Sequence, residues 1–241
     1  MIVLLTDFGQ SEYVGVMKAV IYRIDSEAKV VDLCHDISPQ SVIEASWVLK
    51  NNYKYFPEGV VFCCVVDPGV GTERRALAVR TADYYFTAPD NGLLWETLRE
   101  QKVVETRVIP IPEGASHTFH GRDVFAGAAA NITSGRFDTL GPKTESIERL
   151  ELYRDGRVGI AIRIDRFGNI VTNLPGEGKA TYWVKAGEHH WKAKYYKTYH
   201  AAPDNELFLI EGSCGTLEIS LKNGNANDRL KLLTGERIEI S

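Results

Sequence analysis

Apolar and polar positions along the chain fall into two regimes. Through the first 150 residues, short runs rich in β-branched or aromatic residues alternate with stretches of helical spacing. The runs are Ile2–Leu5, Val30–Leu33, Val60–Val66, Ala76–Arg80 and Tyr84–Thr87. Between them, Glu12–Arg23 and Ser41–Tyr53 carry helical patterns; Val42, Ala45, Val48 and Leu49 recur at i, i+3, i+6 and i+7. Pro39 and Ser41 stand where helix-start residues belong. Leu93–Arg99 and Val124–Asn131 predict further helices. Strand–helix alternation of this kind predicts an α/β domain, a Rossmann-like layered sheet with largely parallel strands, over residues 1–150.

The pattern then changes. Val158–Ile164, Ile170–Asn173, Ala180–Val184, Trp191–Lys194, Leu207–Glu211, Thr216–Leu221 and Glu236–Ile240 are β-rich and separated by Gly- and Asn-containing turns. No helix of ordinary length interrupts them. A small all-β domain over residues 157–241, a barrel or sandwich, is predicted, joined through the charged stretch Glu148–Arg157.

Composition narrows the classes of function. With 28 Lys+Arg against 32 Asp+Glu the formal charge is −4, so binding of nucleic acid by charge alone is not expected. Eleven Tyr, nine Phe and four Trp supply core material, which excludes disorder. No apolar run reaches the ~18 residues that suggest a membrane span. The apolar start Met1–Leu5 runs straight into Thr6-Asp7 without a basic leader or cleavage site, so it does not read as a signal peptide. The four cysteines, at 34, 63, 64 and 214, form no CxxC spacing; neighbouring Cys63 and Cys64 on a strand point to opposite faces. They read as buried, reduced thiols of a cytoplasmic protein.

Ligands of parallel α/β sheets bind beyond the carboxyl ends of the strands, so the loops there carry the candidate chemistry. After the first run comes Thr6-Asp7-Phe8-Gly9. Asp7 reads either as an acceptor for vicinal sugar hydroxyls or as a turn or helix-cap aspartate. The third run is followed by Asp67-Pro68-Gly69-Val70-Gly71-Thr72-Glu73-Arg74-Arg75. This is not a phosphate loop, because GxxxxGK[ST] is absent. Asp67 and Arg74 are spaced to form an ion pair, functional or purely structural. Ala88-Pro89-Asp90-Asn91-Gly92 is a turn signature. In Thr118-Phe119-His120-Gly121-Arg122-Asp123, His120 falls near a helix N-terminus, where the dipole lowers an imidazole pKa. His117, His120 and Asp123 share a spacing that a metal can use, but no second ligand cluster accompanies them, and no metal is expected. His35, His189, His190 and His200 have no comparable context. In the β-rich half, Asp165-Arg166-Phe167-Gly168-Asn169 reads as a hairpin turn or as a base-stacking and edge-reading element. Ser213-Cys214-Gly215 and Asn223-Gly224-Asn225 are turn-like.

Together these segments resemble the S-adenosylmethionine hydroxide adenosyltransferase family, relatives of fluorinating and chlorinating enzymes that use the same substrate. The resemblance spans essentially the whole chain. It rests on TDFG at 6–9, FPEG at 56–59, VVDPGVGTERR at 65–75, PDNG at 89–92, FHGRDVFA at 119–126, DRFGNIVTN at 165–173, SCGTLEIS at 213–220 and NGNA at 223–226. It implies an N-terminal α/β domain and a C-terminal β-barrel. It also implies a homotrimer whose sites lie between one subunit's N-domain and its neighbour's C-domain. The implied reaction is attack of water or hydroxide on ribose C5′, giving adenosine and L-methionine with no cofactor. The implied activating set is Asp67, Arg74 and His120. Asp7 corresponds to the residue on the ribose hydroxyls, Asp165 to one near the methionine amino group, and Ser213 to one near its carboxylate. Phe167 and Asn169 correspond to adenine contacts. The halogenating relatives carry Tyr in place of Asp67, and a carboxylate there repels a halide. The fluorinating enzymes follow the serine with Arg, whereas Cys214 follows it here. The alternatives are a non-catalytic S-adenosylmethionine or adenosine sensor, adenosyl transfer to halide, and a metal-dependent hydrolase.

Overall fold

Strand β1 (Ile2–Thr6) is buried along its whole length. It pairs in parallel with β2 (Val30–Cys34) on one side and β3 (Val61–Val65) on the other. A fully buried strand presents apolar side chains to both faces, which is why these segments read as continuous runs rather than alternations. Ile2, Leu4 and Cys63 face helices α1 (Glu12–Ile24) and α4 (Ala126–Thr133). Val3, Leu5 and Cys64 face α2 (Val42–Asn52) and the short α3 (Trp95–Leu98). The cysteine pair is therefore split between two cores. Burial pushes the Cys63 thiol up to about 12. At the start of α2, Ser41 Oγ accepts from the Glu44 N–H at 3.3 Å and the Glu44 carboxylate returns to the Ser38 N–H at 3.0 Å.

The computed structural model describes all 241 residues, which divide into two compact units, Met1–Glu151 and Leu152–Ser241. The first unit's sheet is completed by β4 (Ala76–Thr81), β5 (Tyr85–Pro89) and β6 (Val103–Ile109), in the order β2-β1-β3-β5-β4-β6. β5 runs parallel to β3, but β4 is antiparallel to both β5 and β6. The sheet is thus mixed, where a largely parallel one was expected. The cause lies in the connection: only three residues separate β4 from β5. A parallel crossover needs a dozen or more, so so short a link returns the chain antiparallel. This order also departs from the 3-2-1-4-5-6 arrangement of dinucleotide-binding sheets. β6 has no counterpart among the predicted strands. It is an edge strand whose Val103 and Val104 are exposed and whose Glu105 and Arg107 pair with each other.

The second unit is a seven-stranded antiparallel sheet: β7 (Val158–Ile164), β8 (Ile170–Thr172), β9 (Thr181–Ala186), β10 (His189–Lys194), β11 (Leu207–Glu211), β12 (Leu217–Leu221) and β13 (Arg237–Ile240). Their order is β10-β9-β13-β7-β8-β12-β11. A bridge between Tyr195 and Leu209 brings the two edges together, so the sheet is nearly closed and barrel-like. The five-residue α5 (Ala226–Leu230) packs Ala226 and Leu230 into the barrel core.

Candidate active site

Two cavities hold the candidate residues, one in each unit. In the first unit a cavity of about 360 Å³ opens among the loops that follow β1 and β3. Asp7, Asp67 and His120 line it. The loop after β3 is built from tight turns: Val70 N–H donates to Asp67 O at 3.2 Å, and the Thr72 hydroxyl to Gly69 O at 2.7 Å. Gly71 has φ +76°, and a Cβ there would meet the His117 carbonyl oxygen at 2.3 Å. The loop therefore closes directly onto the segment that carries His120, and only glycine permits that approach.

Arg74 returns across this loop and grips Asp67 in a bidentate pair. Its Nε donates to Asp67 Oδ1 at 2.9 Å and its Nη2 to Oδ2. The two side chains are only 9% and 6% exposed, so the charges are held nearly dry. The same Nη2 lies 2.6 Å from His120 Nδ1, and the guanidinium stacks over Phe125 at 5.4 Å. A guanidinium only donates. His120 Nδ1 must therefore accept, which makes the ring neutral with its proton on Nε2. Burial, and secondarily the charge of Arg74, hold the His120 pKa below the ordinary value of 6.5.

His120 enters its helix through a π-helical turn, Gly121–Phe125, that runs into α4. The predicted helix at Val124–Asn131 lies within this composite element. Asp123, on that turn, is paired with Arg122 and accepts from the Ser116 N–H at 2.8 Å. No group of three or more His, Cys, Asp or Glu side chains is arranged to hold a metal ion. The Pro-Asp-Asn-Gly turn braces the site from outside. Asp90 accepts from Arg75 Nε at 2.8 Å and from the Glu148 N–H at 2.7 Å, and Asn91 Nδ2 donates to Val66 O at 3.0 Å. Asp7 is held by the Gln40 N–H, 2.8 Å from its Oδ2. Burial raises the Asp7 pKa, opposed by the Gln40 hydrogen bond.

The second unit carries a cavity of about 890 Å³, lined by Asp165, Phe167, Asn169 and Ser213. Asp165 organises its own loop: Oδ1 accepts from the N–H groups of Phe167 and Asn169, each at 2.8 Å, and Oδ2 from Asn169 Nδ2 at 2.9 Å. This Asx turn leaves the Phe167 ring 76% exposed while Asn169 is buried. Cys214, beside Ser213, forms no disulfide and is exposed, where a buried thiol was expected. The structure thus gathers Asp7, Asp67, Arg74 and His120 in one unit, and Asp165, Phe167, Asn169 and Ser213 in the other.

Sequence reading missed several lining residues of the barrel cavity, among them Tyr199, Glu218 and Lys222. The Tyr199 hydroxyl donates to Glu218 Oε2 at 2.9 Å. Burial and the Glu218 charge push Tyr199 up to about 12, and burial raises Glu218 as well. Tyr199 lies on a 3-10 turn and Glu218 on β12, so no glycine or proline signal marks these two.

A layered α/β unit with a buried Asp–Arg–His set beyond its strand ends, followed by a barrel-like unit, defines a two-domain protein with a small-molecule-sized cavity in each unit. Residues 2–141 match the SAM hydroxide adenosyltransferase N-terminal domain and residues 159–239 the C-terminal domain of the same name. The chain belongs to the SAM hydroxide adenosyltransferase family. An (R)-S-adenosyl-L-methionine hydrolase of Thermus thermophilus is 36% identical over 98% of this chain and 97% of its own length. A fluorinase of Nocardia brasiliensis is 26% identical over 72% of this chain and 70% of its own. An uncharacterized conserved protein of Thermotoga maritima, solved by crystallography, superposes with a TM-score of 0.90 at 37% identity, covering 100% of both chains.

Proposed function

We propose that this protein hydrolyses S-adenosyl-L-methionine to adenosine and L-methionine, with water attacking ribose C5′. The observation that carries this reading is the buried Asp67–Arg74–His120 set, at the strand ends of a chain similar to named hydrolases. The water oxygen forms the bond to C5′, the C5′–S bond breaks, and its electron pair leaves on sulfur as the neutral thioether of methionine. No acid is needed for that leaving group. The demand falls on aligning a weak nucleophile, and held geometry supplies up to about 7–11 kcal/mol toward such a barrier.

The hydrogen bonds support one distribution of roles. With Nδ1 committed to Arg74, the Nε2–H of His120 donates to the water oxygen and fixes its direction. Asp67 faces the cavity and is the proton acceptor; a carboxylate has lone pairs beyond the two that Arg74 occupies. Asp7 takes the ribose hydroxyls. In the barrel cavity, Phe167 offers its exposed ring to the adenine, and the carboxylates of Asp165 and Glu218 suit the amino group. The (R) in the relatives' name gives the expected sulfonium configuration. Asp67 also weighs against halide, because the anion would face a carboxylate. Following the family resemblance, the working form is a homotrimer with sites shared between subunits. Metal is not required for this chemistry. No helix is long and apolar enough to cross a membrane.

The test is incubation with each sulfonium epimer in oxygen-18 water, followed by mass spectrometry. Heavy oxygen in adenosine, unlabelled methionine and faster turnover of the (R) epimer are expected. Binding without product would replace hydrolysis by a sensor role. Labelled homoserine beside methylthioadenosine would move the attack from C5′ to the methionine side chain.

The histidine gives a pH signature. Because its pKa is lowered, the neutral ring persists as pH falls through 6.5 and is lost only below that. Protonation then sets an Nδ1–H against the Arg74 N–H and breaks the set. Activity is expected to hold through pH 6.5 and to decline on the acid side, with the same sign for this group's share of stability. A midpoint at or above 6.5 in a kcat profile would contradict the arrangement.

A further inference from the structure

The residue that sets Asp7 is one that the proposed reaction does not use. His35 closes the end of β2, and both its side chain and its backbone reach the turn on which Asp7 stands. Its Nδ1 is 2.8 Å from Thr6 Oγ1. Its carbonyl accepts from the Gly9 N–H at 2.7 Å. Five residues on, the Gln40 N–H holds Asp7 Oδ2 at 2.8 Å, from a left-handed backbone conformation with φ +65°. The segment from His35 to Gln40 therefore grips the Thr6–Gly9 turn before, at and after the carboxylate. The far end of this segment is itself fixed, through Ser38, Glu44 and Ser41 at the start of α2.

One proton assignment fits the contacts of the Thr6 hydroxyl and the His35 ring. Thr6 is fully buried, and its Oγ1 accepts from the Phe8 N–H at 3.2 Å. The hydroxyl proton is free to point to His35 Nδ1, an arrangement that leaves the ring proton on Nε2. His35 Nε2 carries the ring proton and lies 3.1 Å from Asp32 Oδ1. Asp32 is in turn held by Lys18 of α1, 2.6 Å from its other oxygen. A fully buried hydroxyl cannot reach substrate, so this Thr–His–Asp line is not a nucleophilic triad. Its product is the orientation of the next residue, Asp7.

We infer that His35 is a positioning residue for the ribose site, holding Asp7 through Thr6 so that its carboxylate meets both ribose hydroxyls. The inference rests on the reading of Asp7 as the ribose-binding residue. It predicts an effect on hydroxyl recognition that loss of stability would not imitate. In the full chain, calorimetric affinities for adenosine and 2′,3′-dideoxyadenosine give a ratio that isolates the hydroxyls. The wild-type ratio is expected to be about tenfold or more, as hydrogen bonds to a charged group imply. His35→Leu removes the Thr6 partner at similar volume, and the ratio should fall to within about threefold. Thr6→Val, which removes the hydroxyl itself, should do the same and decides the matter where His35→Leu does not fold. His35→Asn places an amide oxygen where Nδ1 stood, and should restore the ratio.

A wild-type ratio retained in His35→Leu or in Thr6→Val would overturn the inference and leave Asp7 as it stands. Failure of His35→Asn to restore the ratio would overturn the hydrogen-bond account. A wild-type protein that binds both nucleosides alike, as Asp7→Ala should, would remove the ribose assignment of Asp7 and this inference with it.

Discussion

Asp67→Asn is expected to lower kcat by about 10²–10⁴-fold, the usual share of a proton acceptor, with KM changed only slightly. The amide keeps the volume and leaves one oxygen for Arg74, but its basicity is gone. The loss should appear in kcat because the acceptor acts only as water becomes hydroxide-like. Asparagine is preferred to alanine for a structural reason. The Asp67 and Arg74 side chains are nearly dry, and removing one partner of a buried pair costs about 3–5 kcal/mol by stranding the other charge. Steady-state kinetics at saturating substrate, beside a thermal melt, separates the two effects. An unchanged kcat, or a deficit carried wholly by KM, would remove Asp67 from the chemical step.

The second large effect comes from mixing two inactive chains. Asp67→Asn disables the first unit's set and leaves the barrel cavity intact. A paired substitution of Phe167 and Asn169 by Ala disables the barrel cavity and leaves the first unit intact. Each variant alone should be nearly silent. When they are co-expressed and purified together, activity should return to a sizeable fraction of wild type if each site combines units from different subunits. The sound first unit of one chain then meets the sound barrel of another. Sites formed within single chains would leave every site with one broken half, and the mixture would stay silent. Co-expression is needed so that the chains assemble together, and differential tags verify that mixed oligomers are present.

The fold was legible where burial made it so. β1 and β3 are apolar on both faces and announce themselves, and in the barrel β9 and β13 alternate between core and solvent. β6 was hidden because an edge strand carrying Glu105 and Arg107 satisfies its charges laterally and keeps Val103 and Val104 in water. The direction of β4 was written in the three-residue link to β5, a length that outweighs the expectation drawn from alternation. The candidate site divides in the same way. Asp67, Arg74 and Asp165 stand in loops punctuated by glycine and proline, where the chain must turn and where ligands are met. Tyr199 and Glu218 lie on regular or nearly regular backbone, and only the closing of the sheet brings them to the cavity wall. His35 is hidden for a further reason: its partner Thr6 is 29 residues away, across two neighbouring strands, and no local spacing records that contact.

The place of Arg74 between Asp67 and His120 has a consequence for where protons travel. A guanidinium stays charged under all conditions in which the fold survives, and it hands no proton on. Hydrogen bonds connect the acid and the imidazole, but the link is an insulator rather than a wire. On the proposed mechanism, a proton taken by Asp67 has no inward route to His120 and must leave through the mouth of the cavity that admitted the water. Reloading the acceptor and emptying the site then share one doorway, and the traffic through it belongs to every turnover.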